Sequence, residues 1–158
     1  MRIVAIDPGT SNTGLVYMDE TRILDAETLK YKEPVKADQF RLMQRAHDIT
    51  VAIYDWMAPR KHGAVVIEGF VTFHGRQSGY TFQTPYLCGY IHAALATEHF
   101  VIQTARQVLN RHMRGNVAAY KAAMEQGRDV WGDCSKLTND HVRSAACHGI
   151  YYFNHKED

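Results

Sequence analysis

The chain contains little cysteine, and the few cysteines present do not form a recognisable framework. There are three, Cys88, Cys134 and Cys147, among 158 residues. An odd number without framework spacing argues against a secreted disulfide scaffold, so we expect free thiols in a reducing compartment. A zinc cluster of Cys134, His141, Cys147 and His148 is also disfavoured, because the close first pair of ligands typical of zinc fingers is missing.

Long apolar runs and an excess of charge are also missing. No apolar segment approaches the ~20 residues that a membrane-spanning helix needs, so we expect a soluble, cytoplasmic protein without a membrane partner. The 18 basic residues nearly balance the 17 acidic ones, for a formal net charge of +1. Overall charge therefore provides no general attraction to nucleic acid, and any such contact must come from local basic patches.

The length and the apolar patterns predict one domain that spans residues 1–158. Neither an internal repeat nor a low-complexity linker interrupts it. Alternation, apolar periodicity and turn residues predict strands at 2–7, 13–18, 22–31, 63–69 and 100–104, and helices at 37–57, 84–95, 117–126 and 139–153. The order of these elements predicts an α/β fold with an RNase H-like mixed five-stranded sheet, flanked by helices on both faces.

Two carboxylates stand at the ends of predicted strands. Asp7 ends the first strand, and Glu68 follows the apolar run of the fourth. If these strands are parallel neighbours, both side chains emerge at one rim, where a hard divalent cation would compensate their charge. Alternatively, Asp7 is only a turn residue before Pro8, and Glu68 is only a strand-end charge that reaches water.

The first turn of the last predicted helix is the third polar element. Residues three or four positions apart share a helical face, so His141 can lie beside Ser144, and Asp140 can lie beside Arg143 or Ser144. One turn could thus direct several polar groups at a metal. The alternative is a capped helix start whose polar side chains are solvated.

Together these features resemble the RuvC Holliday junction resolvases over nearly the whole chain. The resemblance depends on Asp7-Pro8-Gly9-Thr10 with Gly14, on Glu68, and on the polar turn. Phage-encoded relatives are the nearest in pattern, because the Asp140-His141 pair is followed by Ala145, His148 and Gly149.

The resemblance implies a crossover junction endodeoxyribonuclease of a bacterial or phage-infected cell. Such an enzyme would be a homodimer that resolves four-way and related branched DNA by paired, metal-dependent hydrolysis of phosphodiesters. Each active site would use two Mg²⁺ or Mn²⁺ ions. The implied catalytic and metal-binding residues are Asp7, Glu68, Asp140 and His141.

The family pattern ends with an acidic residue or histidine, followed three positions later by aspartate and then alanine. In the register that best preserves the small residues, His141 takes the first place and Ser144 replaces the aspartate. In the other register Asp140 is the final aspartate, and Leu137 takes the earlier place. Either way one ligand is missing, through natural divergence or an inactivating substitution. The alternative function is therefore a catalytically weakened or inactive branched-DNA-binding protein.

Aromatic and basic residues after Glu68 are candidates for DNA contact, since bases stack on aromatic rings and phosphates bind basic groups. The candidates are Phe70, Phe73, His74, Arg76, Gln77, Tyr80 and Phe82. Arg106 and Lys136 belong to a second basic set that could follow a DNA arm. The alternatives are aromatic packing beneath a loop and ordinary scattered surface charge.

Two further functions compete with a DNA endonuclease. The segment from Asp7 to Gly14 also resembles the first phosphate loop of the actin and sugar-kinase superfamily. Those proteins need a second lobe and a second glycine-rich loop, and this sequence contains neither. A nuclease acting on ribosomal RNA precursors is also possible, but the aromatic segment after Glu68 fits opened DNA better.

Overall fold

The computed structural model describes residues 1–31, 38–70, 83–96, 99–108 and 136–155. Its centre is a five-stranded sheet with the strand order β3-β2-β1-β4-β5. The strands are β1 (Arg2–Asp7), β2 (Asn12–Asp19), β3 (Ile23–Lys30), β4 (Ala64–Gly69) and β5 (Phe100–Thr104). The first three strands are antiparallel neighbours, whereas β4 runs parallel to both β1 and β5. The sheet is therefore mixed, as predicted.

The helices are α1 (Gln39–Met57), α2 (Gln83–Ala94), the short α3 (Ala105–Gln107) and α4 (Asp140–His155). Side chains cap three of them: Asp38 accepts a hydrogen bond from the amide of Phe40, Thr104 from the amide of Gln107, and Asn139 from the amide of His141. Such caps satisfy amides that the first helical turn leaves without partners. Among the helices that the structure describes, none combines the length and apolar character needed to cross a bilayer.

Side-chain alternation along the strands creates two cores, one on each face of the sheet. Val4 and Ile6 of β1 face α1 and α2, and they belong to a buried cluster with residues of both helices. Ile3 and Ala5 point the other way and pack in a second cluster with α4. Because successive residues of a strand point to opposite faces, this parity also determines on which face the polar side chains at the strand ends lie.

The predicted fold class is confirmed, with a mixed five-stranded sheet and helices on both faces. All five predicted strands and three of the predicted helices are present, with bounds that differ by about two residues. The helix predicted at 117–126 lies outside the described residues. Neither Cys88 nor Cys147 is in a disulfide bond, as expected, and Cys134 also lies outside the described part of the chain.

Candidate active site

Asp7 and Glu68 lie at one rim of the sheet, on the face that α4 covers. Strands β1 and β4 are parallel, and their register pairs Ile6 with Ile67. The two carboxylates are the next residues on these neighbouring strands, so they emerge together on the same face. The expectation that the strands are parallel neighbours is thus confirmed, and each carboxylate affects the pKa of the other.

Gly14 allows the beginning of α4 to approach Asp7. It pairs with Asp7 across the β1–β2 ladder. A Cβ atom at this position would lie 2.3 Å from the backbone carbonyl carbon and oxygen of His141. No side chain fits in that space, so only glycine lets the helix start lie this close to the sheet. As a result, His141 Nδ1 lies 3.0 Å from Asp7 Oδ2.

Glu68 is held from the same helix one and two turns further along. Ser144 Oγ donates a hydrogen bond to Glu68 Oε2 at 2.8 Å. His148 Nε2 lies 3.4 Å from the same oxygen, and His148 Nδ1 lies 3.3 Å from Gln103 Oε1. The helix thus contributes a histidine to Asp7, and a serine and a second histidine to Glu68.

Burial makes the charge on Asp7 unfavourable in the metal-free protein. It raises the pKa of Asp7 to about 6. The hydrogen bond with His141 works in the opposite direction, while the neighbouring Glu68 carboxylate raises the pKa of Asp7 further. Asp7 is therefore an anion whose charge the surrounding protein does not fully compensate.

Glu68 and His141 are perturbed in ways that favour their charged forms. Burial opposes ionisation of Glu68, but the hydrogen bonds from His148 and Ser144 keep the pKa of Glu68 below its ordinary value. The hydrogen bond to Asp7 raises the pKa of His141, although burial works against it. The site consequently combines a carboxylate that favours ionisation (Glu68), a carboxylate whose ionisation is opposed (Asp7) and an imidazole (His141).

These groups fit a hard divalent cation. Mg²⁺ is typically held by one or two carboxylates together with waters and substrate phosphate oxygens, and Asp7 and Glu68 provide such a pair. The incompletely compensated charge on Asp7 is the kind that a bound cation would stabilise. The described residues contain no group of three or more His, Cys, Asp or Glu side chains arranged for a metal. Waters and substrate would therefore have to complete the coordination.

Asp140 does not join this cluster. Its side chain is 73% exposed, and Arg143 Nη1 lies 3.4 Å from its Oδ1. The role of Asp140 as a metal ligand stays a prediction that this position does not support. His141 and Ser144, in contrast, face the two carboxylates. Of the two registers considered from the sequence, the observed orientation matches the one that places His141 and Ser144 at the site.

The predicted DNA-contacting residues fall into three groups. Phe70, directly after β4 and two residues after Glu68, is 40% exposed. Lys136 donates from Nζ to the backbone carbonyl of Leu24, so its ammonium group already supports the fold. The side chain of Arg106 lies outside the described part of the structure. So do the remaining predicted residues, which are Phe73, His74, Arg76, Gln77, Tyr80 and Phe82.

Gln103 and His148 belong to the site, although the sequence did not indicate a role for them beside Glu68. Gln103 is the partner of Glu68 in the parallel β4–β5 register, and His148 lies four residues after Ser144. The i, i+4 spacing was a usable signal for His148. Gln103 offered no such signal, because its proximity depends on the pairing of two distant strands.

No family model matches the sequence, and neither does any curated protein. Solved structures do match. Thermus thermophilus RuvC in complex with a Holliday junction substrate is 18% identical, with a TM-score of 0.73 over 99% of this chain and 96% of that one. A second Thermus thermophilus RuvC structure is 17% identical, with the same TM-score and coverage. Fowlpox virus resolvase with Holliday junction DNA is 10% identical, with a TM-score of 0.50 over the full length of both chains. The chain therefore has a RuvC-like fold.

Proposed function

We propose that this protein is a metal-dependent endonuclease that resolves four-way and related branched DNA. The observation that carries the proposal is the pair of half-buried strand-end carboxylates, Asp7 and Glu68, with His141 and Ser144 directed at them from α4. The fold adds support, because two of the similar structures, a RuvC and a poxvirus resolvase, contain Holliday junction DNA.

Asp7 and Glu68 would hold Mg²⁺ or Mn²⁺, two ions per site, with His141 as the further protein ligand. When bound, such ions activate water and stabilise charge on the attacking and leaving oxygens of a phosphodiester. Ser144 donates a hydrogen bond that helps to keep Glu68 ionised and therefore able to bind a cation. His141 Nδ1 lies 3.0 Å from Asp7 Oδ2. This contact would have to open for both side chains to bind a cation.

The test is cleavage of a synthetic four-way junction, with Mg²⁺ or Mn²⁺ and in EDTA. We expect paired nicks that require the metal, and much slower cleavage of a linear duplex of the same sequence. Asp7→Asn should abolish nicking and leave metal-free junction binding intact. Undiminished cleavage by that variant in Mg²⁺ would contradict the assignment.

A second candidate is a branched-DNA-binding protein with weak or no cleavage. Ser144 favours it, because a neutral hydroxyl lies 2.8 Å from Glu68 where the family pattern has a carboxylate. Fewer anionic ligands bind divalent cations more weakly. Tight, junction-selective binding without nicks at any concentration of Mg²⁺ or Mn²⁺ would establish this function in place of the nuclease.

We also propose that the protein is a homodimer formed through α1. The side of α1 that faces away from the sheet carries four exposed apolar residues: Phe40 (74%), Met43 (46%), Val51 (45%) and Tyr54 (62%). They recur at helical spacing as one stripe, and such stripes typically mark interfaces. A two-fold dimer would present two sites to the two equivalent strands of a junction.

Light scattering tests the dimer directly. The wild type should have twice the mass of one chain, and Phe40→Glu should shift it to the monomer. Thr21→Glu, in the exposed turn after β2, is the control and should remain dimeric. A monomeric wild type, both free and bound to a junction, would contradict the proposal.

A further inference from the structure

His148 is a buried polar residue whose two ring nitrogens both face polar partners. Its exposure is only 2%. Nε2 lies 3.4 Å from Glu68 Oε2, and Nδ1 lies 3.3 Å from Gln103 Oε1. Neither DNA nor bulk water can reach this imidazole directly. Any role in the site must therefore act through Glu68.

The fold brings these three residues together from three different elements. Glu68 and Gln103 are partners in the parallel register of β4 and β5, so their side chains lie on the same face of the sheet. His148 reaches them from α4, one turn after Ser144. Ser144 and His148 approach the same oxygen of Glu68, Oε2. The other oxygen, Oε1, is therefore the one that neither of them occupies.

The donors and acceptors of Glu68, His148 and Gln103 determine which hydrogen bonds these three side chains can form. A carboxylate only accepts, so the contact with Glu68 requires a proton on His148 Nε2. The amide of Gln103 can present either its oxygen or its nitrogen to Nδ1, so it satisfies that nitrogen in either protonation state. A histidine that is oriented by one partner and donates to a carboxylate can hold that carboxylate in one position.

We propose that His148, oriented by Gln103, is a positioning residue that holds Glu68 in place for a divalent cation. The proposal rests on the metal-dependent function proposed above and concerns the same site. In this arrangement Oε2 of Glu68 keeps the contacts with Ser144 and His148, and Oε1 would be available to a cation. The contacts that carry it are those of Ser144 and His148 with Glu68, and of Gln103 with His148.

The test is Mn²⁺ binding without DNA, measured as loss of the free Mn²⁺ signal in electron paramagnetic resonance. His148→Leu retains bulk but cannot donate, and it should weaken Mn²⁺ affinity about 10- to 100-fold, as removal of an outer-shell partner typically does. His148→Gln can place an amide N–H near the position of Nε2, and it should stay within about threefold of the wild type. Metal-free junction binding should be the same for all three proteins.

Two further variants separate positioning from packing. Ile150→Val changes the buried side of the same helix away from Glu68, and it should leave Mn²⁺ affinity unchanged. Gln103→Leu removes the other end of the contact chain and should weaken Mn²⁺ binding in the same direction as His148→Leu. If circular dichroism shows that His148→Leu does not fold, Gln103→Leu alone tests whether the His148–Gln103 contact positions Glu68.

The possible failures are distinguishable. If the wild type binds no Mn²⁺, the proposed metal-dependent function fails, and this inference fails with it. If the wild type binds Mn²⁺ and both His148→Leu and Gln103→Leu bind it equally well, only the positioning role is overturned. If His148→Gln is as weak as a folded His148→Leu, then His148 acts through packing, and the role as a donor to Glu68 is also overturned.

Discussion

Replacing Asp7 by Asn should stabilise the metal-free protein while abolishing its proposed activity. Burial raises the pKa of Asp7 from 3.8 to about 6. The folded state therefore opposes ionisation of this side chain more strongly than the unfolded state does. Asn has nearly the same shape and an oxygen that can still accept a hydrogen bond from His141, but it carries no charge to be buried.

The size and sign of the effect follow from proton linkage. Between pH 3.8 and about 6 the folded state binds more protons at Asp7 than the unfolded state, so the free energy of unfolding falls as pH rises through this window. At about 1.4 kcal/mol for each unit of pKa, the full loss is about 3 kcal/mol above pH 6. Asp7→Asn should recover most of that at pH 8 and nothing at pH 3.5.

His141 changes the result only near neutral pH. Its contact with Asp7 raises the pKa of His141, so the stability from this ion pair is lost as the pH rises through that raised pKa, and it is also lost at low pH, where Asp7 is protonated. Asp7→Asn removes this contribution as well, which reduces the gain around pH 6 to 7. At pH 8 this contribution is smaller than at neutral pH, because it declines as the pH rises through the raised pKa of His141.

Urea denaturation in EDTA at pH 3.5 and pH 8 measures the difference. At pH 8 the gain should be about 1 to 3 kcal/mol, which for a chain of this size raises the melting temperature by several degrees. Saturating Mg²⁺ should reduce or reverse it, because only the wild type gains binding energy. Asp25→Asn is the control and should destabilise the protein at pH 8. Partial burial opposes ionisation of Asp25, but the hydrogen bond from Arg60 outweighs it and lowers the pKa of Asp25. A variant no more stable than the wild type at pH 8, or a gain independent of pH, would refute the reasoning.

Four other substitutions test the site. Ser144→Asp should tighten Mn²⁺ binding and raise the nicking rate, with little change in metal-free junction affinity, whereas Asp140→Asn should have little effect on any of the three. If Ser144→Asp instead leaves the nicking rate unchanged and Asp140→Asn abolishes nicking, Asp140 is the metal ligand on this helix. Phe70→Ala should weaken the preference for junction over duplex in competition binding by about 1 to 3 kcal/mol, the contribution of one stacked base, and an unchanged preference would exclude stacking by Phe70. Gly14→Ala should lower the free energy of unfolding by about 1 to 3 kcal/mol and weaken Mn²⁺ binding, because the methyl group of the new alanine would displace the start of α4. Normal Mn²⁺ affinity in this variant would contradict this prediction.

Local patterns in the sequence were sufficient to predict the sheet and its two most important carboxylates. Alternating or continuous apolar residues indicate strands whichever neighbours they later have, because one or both faces must be buried. Asp7 and Glu68 each stand where such a pattern ends. Once β1 and β4 pair in parallel, the two residues must meet at one rim. No detail of the packing was needed for that prediction.

The contribution of the last helix could not be decided in the same way. Successive helical residues point about 100° apart, so a shift of one position exchanges Asp140 for His141 at the site. The apolar pattern places the helix on the sheet but does not define its phase to within one residue. The packing of Ala145, Ala146 and Gly149 on the sheet, with Gly14 beneath the first turn, settles that phase. It turns His141 and Ser144 inward and leaves Asp140 exposed.

The contacts around Glu68 required the tertiary structure. Gln103 is 35 residues from Glu68 along the chain and 45 residues from His148. Neither distance leaves a periodic signal in the sequence, because side chains meet across strands according to a register that the whole sheet determines. The amino-acid sequence by itself thus determined which residues could bind a metal. Only the folded chain decided which of them face one another, since a helix phase and a strand register are properties of packing.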